Sequence, residues 1–155
     1  MKNALMTAVL ALATTVGVAS AHADQINMHA SACVASGNGM LNVYPQVSLL
    51  SGLNSAATLL CPVPVSPTGA AKTLYVDGRN LVTNPTAPRC TATLMSYTGV
   101  VRGTLTRTAP TAPGSWELYF SLSGAMQPSS WDYLVLECTV NSTVYGGLLG
   151  YTVTN

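Results

Sequence analysis

Charged side chains are scarce in this chain. Asp, Glu, Lys and Arg make up 7% of its 155 residues, whereas soluble domains ordinarily contain about 25%. Beyond residue 23 the acidic and basic side chains balance, so the formal net charge of that part is zero. No basic field is available to attract nucleic acid or an anionic membrane surface. The surface must be built from Ser, Thr, Asn, Gln and Gly, which favours neutral sugars or other proteins as partners.

Histidine, the usual base of nucleophilic catalysis, is nearly absent. Beyond residue 23 the only histidine is His29, in a segment that we predict to be flexible. A Ser-His-Asp hydrolase would need this ring held between a serine and a carboxylate, and the chain has no Gly-x-Ser-x-Gly motif. We therefore predict that the protein is not an enzyme.

Carboxylates leave one route to a secreted hydrolase, because glycoside hydrolysis uses two carboxyl groups in one cleft. The candidates are Asp77, Glu117, Asp132 and Glu137. Glu117 and Glu137 occupy outward positions of predicted strands, where they could approach each other across two paired strands. Solvation, or an ion pair with Arg102 or Arg107, is the commoner role for such residues.

Long apolar runs are also lacking, apart from the first residues of the chain. Lys2, the apolar Ala4 to Val18 and the small residues of Ala21-His22-Ala23 are typical of a secretory signal peptide over residues 1–23. The run is too short to anchor a helix in a bilayer, and no second run follows. The mature chain is thus predicted to lack a transmembrane segment and to be exported, to the periplasm, the cell surface or the medium.

Closely spaced cysteine pairs, which zinc sites use, are missing as well, so we predict neither a metal nor another cofactor. An even number of cysteines in an exported chain predicts two disulfides. The cysteines are Cys33, Cys61, Cys90 and Cys138, which allow three connectivities. We prefer Cys33–Cys61, which would fix a Gly/Ser-rich N-terminal segment, and Cys90–Cys138, which would join two strongly patterned strands.

Helical spacing of apolar residues is absent beyond the signal peptide, whereas alternation of apolar and small polar residues recurs throughout. The chain is therefore predicted to be all-β. Asp77-Gly78 is the strongest turn signal, and Leu81-Val82-Thr83 is its predicted hairpin return. The segments with alternation are 59–65, 73–76, 89–96, 100–106, 116–122, 132–140 and 144–153.

About seven short strands predict a single-domain antiparallel β-sandwich over residues 33–155, with a small barrel as the alternative. Residues 24–32 are predicted to form a flexible N-terminal arm. Glycines 146, 147 and 150 predict either a bulge in the last strand or a close approach of another backbone to it. The predicted core between the two sheets contains Trp116, Phe120, Leu134, Leu136 and Tyr151.

With these strands placed, the chain resembles a group of small exported bacterial proteins of unknown function. The resemblance covers roughly the C-terminal half, together with Leu60-Cys61-Pro62-Val63. Its motifs are Cys90-x-Ala-x-Leu94, a loop with Gly99, Tyr133-x-Val-x-x-Cys138-x-Val140 and Gly150-Tyr151-x-Val153. It implies a β-sandwich and a Cys90–Cys138 disulfide, and it implies no activity.

Tyrosine is abundant, at seven residues against one phenylalanine. Aromatic rings among Asn, Ser and Thr can stack on sugars or anchor a protein partner. Tyr119 and Tyr133 are the leading candidates for a binding surface, although outward tyrosines also serve to cover a half-buried sheet. Trp131 is either an exposed loop anchor or a plug at the end of the sandwich.

These observations predict an exported, non-catalytic module that binds a cell-surface glycan or protein. The alternative is a structural subunit of a surface appendage or coat, in which a sandwich accepts a strand from its neighbour. A secreted hydrolase is the second alternative.

Overall fold

The computed structural model describes residues 25–36, 41–44, 49–52, 55–65, 71–142 and 145–154, with the backbone alone for 41–44 and 49–51. Within these ranges eleven strands form two antiparallel sheets, which confirms the predicted disulfide-stapled β-sandwich. The strands are β1 (Gln25–His29), β2 (Val34–Ala35), β3 (Leu41–Tyr44), β4 (Leu49–Gly52), β5 (Ala57–Val63), β6 (Thr73–Asn80), β7 (Arg89–Met95), β8 (Val101–Thr108), β9 (Gly114–Ser121), β10 (Tyr133–Val140) and β11 (Gly146–Thr154).

Sheet A has the order β3-β4-β11-β6-β9, with β1 also paired to β11. Strand β6 pairs with β11 from Thr73 to Asn80. The opposite edge of β11 is shared, because β4 pairs at Leu148 and β1 pairs from Gly150 to Thr154. The register of β11 shifts between Leu148 and Gly150, which confirms the predicted bulge.

Sheet B has the order β2-β5-β10-β7-β8. In β10 and β7 the alternation of apolar and polar residues matches the two faces of the strand, so even-numbered residues are buried. Cys90 lies directly opposite Cys138 in this sheet, and the two are joined by a disulfide. A second disulfide joins Cys33, just before β2, to Cys61 in β5.

The core lies between the two sheets, and it contains all five aromatic and leucine residues predicted for it. Tyr151 is fully buried, and its hydroxyl donates a hydrogen bond of 2.5 Å to the carbonyl oxygen of Pro62 in the other sheet. Arg107 also bridges the sheets, because its Nε donates to the carbonyl oxygen of Tyr119. The two layers are thus held by packing and by polar contacts between them.

Four short strands near the N-terminus, β1 to β4, were not predicted, because their residues do not alternate over a sufficient length. The largest difference concerns the arm over residues 24–32, which we expected to be flexible. Residues 25–29 instead form β1, paired along its whole length with β11. Met28 lies opposite Tyr151 and packs against the core, so this strand is fixed by pairing and by burial.

The predicted hairpin turn at Asp77-Gly78 is wrong, because β6 continues straight through it to Asn80. Gly78 faces the core beneath the Trp116 ring, where a Cβ atom would lie 2.0 Å from a ring carbon. The glycine is therefore used for a close approach and not for a turn. Leu81-Val82-Thr83, the predicted return strand, is an exposed segment outside the sheets.

The predicted signal peptide over residues 1–23 lies outside the described residues. Among those described, no helix is long and apolar enough to cross a membrane.

Candidate functional site

Four neighbouring strands of sheet A present a polar surface, which carries tyrosine, amide, carboxylate and imidazole side chains that could bind a ligand. We call the solvent-facing side of β1, β11, β6 and β9 the outer face of sheet A. Strand register places its residues in rows that cross all four strands. The central row is Asn27, Thr152, Tyr75 and Tyr119. The next row is His29, Gly150, Asp77 and Glu117.

Two tyrosines form the aromatic centre of this face. Tyr75 and Tyr119 are directly opposite each other on β6 and β9, with ring centroids 5.4 Å apart and planes inclined by 56°. Tyr119 is 47% exposed, whereas Tyr75 is half-buried. This tilted pair offers an apolar ring surface that remains accessible on one side.

Amide and hydroxyl groups flank the tyrosines on the β1 side. Asn27 Oδ1 accepts hydrogen bonds from Thr152 Oγ1 at 2.8 Å and from Gln25 Nε2 at 3.1 Å. Further along, the hydroxyls of Thr73 and Thr154 bond to each other. These hydrogen bonds fix the side chains in the absence of a ligand. The Asn27 amide nitrogen has no described acceptor, so it is available to donate to one.

Two carboxylates lie on the other side of the tyrosines. Asp77 and Glu117 are opposite each other across β6 and β9, where Cβ atoms are about 5 Å apart. Partial burial raises the pKa of Asp77, and the neighbouring Glu117 charge raises it further. Neither carboxylate has an ion-pair partner in the described part of the chain, so both oxygen pairs are available as acceptors.

A shallow depression separates Asp77 from β1. Its floor is Gly150, which has no side chain to fill the space, and His29 lies on its far side. A Cβ atom on Gly150 would lie 2.6 Å from the carbonyl oxygen of Met28. His29 Nδ1 accepts from the backbone N–H of Ser31 at 3.1 Å and contacts the Ser31 hydroxyl at 2.9 Å. The imidazole is thus oriented by its own chain at the rim of the face.

Of the three residues predicted for a binding surface, Tyr119 lies in sheet A, whereas Trp131 and Tyr133 lie just before and at the start of β10 in sheet B. Tyr119 is at the centre of the outer face of sheet A. Tyr133, 59% exposed, lies on the solvent side of β10 in sheet B. Trp131 is 73% exposed in the turn before β10, so it is a loop residue and does not plug the sandwich.

The carboxylate pair proposed from the sequence is also separated. Glu117 is in sheet A and Glu137 is in sheet B, so the two cannot approach across paired strands. The predicted salt-bridge partners are wrong too, since Arg102 pairs with Asp132 and Arg107 bonds to backbone. The reason is that, among the described strands, β8 lies at the edge of sheet B and pairs only with β7, so neither arginine is on a strand paired with that of Glu117 or of Glu137.

Sequence reasoning missed Tyr75, Asp77 and His29 as members of this face. The turn signal of Asp77-Gly78 and the flexible arm predicted for residues 24–32 place neither Asp77 nor His29 on a strand. One signal was present: Tyr75, Asp77 and Arg79 alternate with buried positions, which is the period of a single longer strand. Nowhere in the described ranges do three or more His, Cys, Asp or Glu side chains group to hold a metal ion.

No protein-family model and no curated protein matches the chain. Among solved structures it is similar to the C-terminal CBM6 of LamC, a marine laminarinase from Zobellia galactanivorans, with 11% identity and a TM-score of 0.48 over 85% of this chain and 100% of that one. It is also similar to the CBM36-1 domain of a multidomain xylanase from the hindgut metagenome of Trinervitermes trinervoides, with 10% identity and a TM-score of 0.47 over 85% and 97% of the two chains. A third similar structure is the arabinose-bound α-L-arabinofuranosidase MgGH51, with 10% identity and a TM-score of 0.44 over 83% of this chain and 24% of that one. At these values the similarities carry no argument about what this chain binds or does.

Proposed function

We propose that this protein is an exported, non-catalytic module that binds a cell-surface glycan along the outer face of sheet A. The observation that carries the proposal is the Tyr75–Tyr119 pair at the centre of a four-strand surface of hydrogen-bonding side chains. Aromatic rings bind the apolar faces of sugar rings, while amides, hydroxyls and carboxylates beside them bind the hydroxyl groups.

The shape of the face favours an extended chain over a small enclosed molecule. The rows cross β1, β11, β6 and β9, and the two recesses described on this face are both open to solvent. One lies over Gly150, and the other is bordered by Gln25, Tyr75, Asp77, Glu117 and Thr152. Neighbouring strands are about 4.8 Å apart, so the four strands span the width of several sugar residues. A polysaccharide lying across the strands can contact the tyrosines, Asn27 and Asp77 together.

Export is supported by the two disulfides, because such bonds persist in oxidising compartments. The predicted signal peptide over residues 1–23 supports it independently. A periplasmic and an extracellular location both fit these features.

Co-sedimentation with insoluble polysaccharides tests the proposal. Purified protein is mixed with cellulose, xylan, chitin, β-1,3-glucan and peptidoglycan in turn, and the bound fraction is measured. We expect binding to at least one polymer, and we expect Tyr119→Ala to weaken it about tenfold, the effect of losing roughly 1.4 kcal/mol at an aromatic anchor.

Tyr133→Ala is the matched control, because it removes a similarly exposed tyrosine from the other sheet. It should leave binding unchanged. The proposal fails if no polymer retains the protein, or if Tyr133→Ala abolishes retention while Tyr119→Ala does not.

One observation favours the hydrolase alternative. The structure brings Asp77 and Glu117 together, and the raised pKa of Asp77 is a property that a general acid needs. Release of reducing ends from the retained polymer, abolished by Asp77→Asn, would show catalysis. We expect no release, because the two carboxylates lie side by side on an open face and do not form a cleft in which they could flank a glycosidic bond.

No observation favours the structural-subunit alternative. It requires a strand that a neighbour can accept, and the N-terminal strand Gln25–His29 is already paired with β11 of its own chain.

A further inference from the structure

Two aromatic side chains stand exposed at one end of the sandwich, away from the outer face of sheet A. Tyr97 is 70% exposed in the turn between β7 and β8, and Trp131 is 73% exposed in the turn before β10. Tyr133 at the start of β10 pairs with Met95 at the end of β7. This register brings the two turns side by side, and the rings line one open cleft.

The turn that carries Tyr97 is held in shape by its own hydrogen bonds. Ser96 N–H donates to Val100 O at 2.9 Å, and Gly99 N–H donates to Ser96 O at 2.9 Å. Gly99 has a φ of +82°, a conformation that glycine adopts without strain. The hydroxyls of Ser96 and Thr98 lie 2.8 Å apart. Tyr97 is therefore presented on a defined scaffold.

The turn that carries Trp131 is fixed by Asp132. Its Oδ2 accepts from Ser129 N–H at 2.7 Å and from Ser129 Oγ at 2.8 Å, and it also pairs with Arg102 of β8. Because β8 begins directly after the Tyr97 turn, this ion pair links the two turns. Hydrogen bonds thus fix both turns, and the two aromatic side chains that the turns carry are mostly exposed to solvent.

Such a cleft favours a neutral ligand. The Asp132 and Arg102 charges neutralise each other, and the described residues that line the cleft carry no charge. An aromatic cage for a quaternary ammonium group gains from nearby unpaired carboxylates, and the described residues that line this cleft include none. The two ring faces match the apolar face of a sugar, and the Tyr97 hydroxyl and the Trp131 indole N–H, for which no partner is described, can bond to its hydroxyl groups.

We propose that Tyr97 and Trp131 form a second binding site, which takes one neutral pyranose residue of a saccharide. The inference does not depend on the proposed function of sheet A, because different residues carry it. If both hold, the protein contacts saccharide at two separated places, and simultaneous contact raises its apparent affinity for a polymer.

Tryptophan fluorescence isolates this site. The chain has two tryptophans, and the other one, Trp116, is 5% exposed and donates to Asn80 Oδ1. Acrylamide therefore quenches Trp131 selectively. Soluble glucose, xylose, mannose and galactose oligomers are titrated into the protein, with choline chloride as the cationic probe. We expect at least one neutral oligomer to shift the Trp131 emission to the blue and to protect it from acrylamide.

Two variants assign the response. Tyr97→Ala retains Trp131 and should weaken the saccharide response about tenfold. Tyr119→Ala, on the outer face of sheet A, should leave it unchanged, so failure at one site is distinguishable from failure at the other. Circular dichroism checks that both variants are folded.

Four results would overturn the inference: no neutral oligomer changes the Trp131 emission, choline alone changes it, Tyr97→Ala leaves the response intact, or protection rises with protein concentration in the absence of saccharide. The last result would show that the rings contact a second copy of the chain.

Discussion

At the scale of single residues, the hydroxyl of Tyr151 links the two layers of the sandwich by one hydrogen bond. Its ring is buried in sheet A, and its hydroxyl donates to Pro62 O in sheet B. Burial raises the pKa of the Tyr151 phenol, so the hydroxyl keeps its proton and remains a donor far into the alkaline range. The bond is one of the few specific polar links described between layers that otherwise meet through apolar packing.

Tyr151→Phe should lower the free energy of unfolding by about 1 kcal/mol, since the bond is lost while the ring still fills its place. Urea denaturation measures this change. Tyr133→Phe is the control, because it removes an exposed hydroxyl with no described partner, and its midpoint should not move. Equal effects of the two variants would contradict the assigned role of the Tyr151 hydroxyl.

Asp132 makes stability depend on pH. The Ser129 backbone N–H, more than any other partner, holds the pKa of Asp132 below the ordinary value of 3.8, and Arg102 also lowers it. The stabilisation is therefore complete above pH 3.8 and is lost as the pH falls through the lowered pKa. Asp132→Asn should melt at a lower temperature than the wild type at pH 7, and the difference should disappear under strongly acidic conditions. Thermal denaturation across this range measures it.

Asp77→Asn is the matched variant of opposite sign. Because burial and Glu117 raise the pKa of Asp77 above 3.8, its charge destabilises the fold above that raised pKa, and protonation relieves the cost as the pH falls. The variant should be more stable than the wild type at pH 7, and equally stable below pH 3.8. A pH trend of the same sign for both variants would contradict these environments.

At the scale of elements, the path of β6 depends on Gly78. A Cβ atom there would lie 2.0 Å from Cζ2 of the buried Trp116 ring. Gly78→Ala should therefore destabilise the protein by about 1–3 kcal/mol, the cost of overpacking a core. Gly103→Ala is the control, since its Cβ would first meet the flexible Met126 Sδ, at 2.9 Å. Urea midpoints compare the two, and a smaller loss at Gly78 would contradict the packing argument.

The same residue shows why one part of the sequence was misread. Asp77-Gly78 has the composition of a hairpin turn, and only the Trp116 ring, 38 positions along the chain, explains why glycine is needed inside a strand. Strands β7 to β11 were predictable within two or three residues, because their alternation is local information. Contacts between distant strands are not encoded in local alternation.

Prediction of the site was limited for the same reason. Tyr119 was found from its outward position in an alternating strand. Tyr75, Asp77 and His29 belong to the same face only because β6 is longer than its turn signal suggests and because β1 pairs with β11. Local sequence also does not indicate which of the two sheets a strand joins. For that reason it did not predict that Glu117 and Glu137 lie in different sheets. Topology, and not residue type, decided the composition of the face.

At the scale of the whole molecule, the two disulfides have different positions. Cys90–Cys138 links neighbouring strands at the centre of sheet B. Cys33–Cys61 lies where the chain leaves β1 in sheet A and enters β2 in sheet B. The second bond therefore anchors the segment that places β1, and with it Asn27 and His29, on the outer face of sheet A. Stability and binding should respond differently to the loss of each.

Removing either bond, as Cys33→Ala with Cys61→Ala or as Cys90→Ala with Cys138→Ala, should destabilise the protein. The sequence separations are 28 and 48 residues, so chain entropy predicts that the free energy of unfolding falls by about 3.6 and about 4.1 kcal/mol.

The effects on glycan binding should have the reverse order. Without Cys33–Cys61, β1 is held only by its pairing with β11 and by the packing of Met28, so it separates from β11 more easily. Polysaccharide retention should therefore fall further in that variant than in the Cys90–Cys138 variant. Co-sedimentation under conditions where both variants remain folded, checked by circular dichroism, measures the difference. Equal retention would mean that β1 stays in place without the disulfide, or that Asn27 and His29 do not contact the glycan, and Asn27→Ala in the wild-type background separates these two cases.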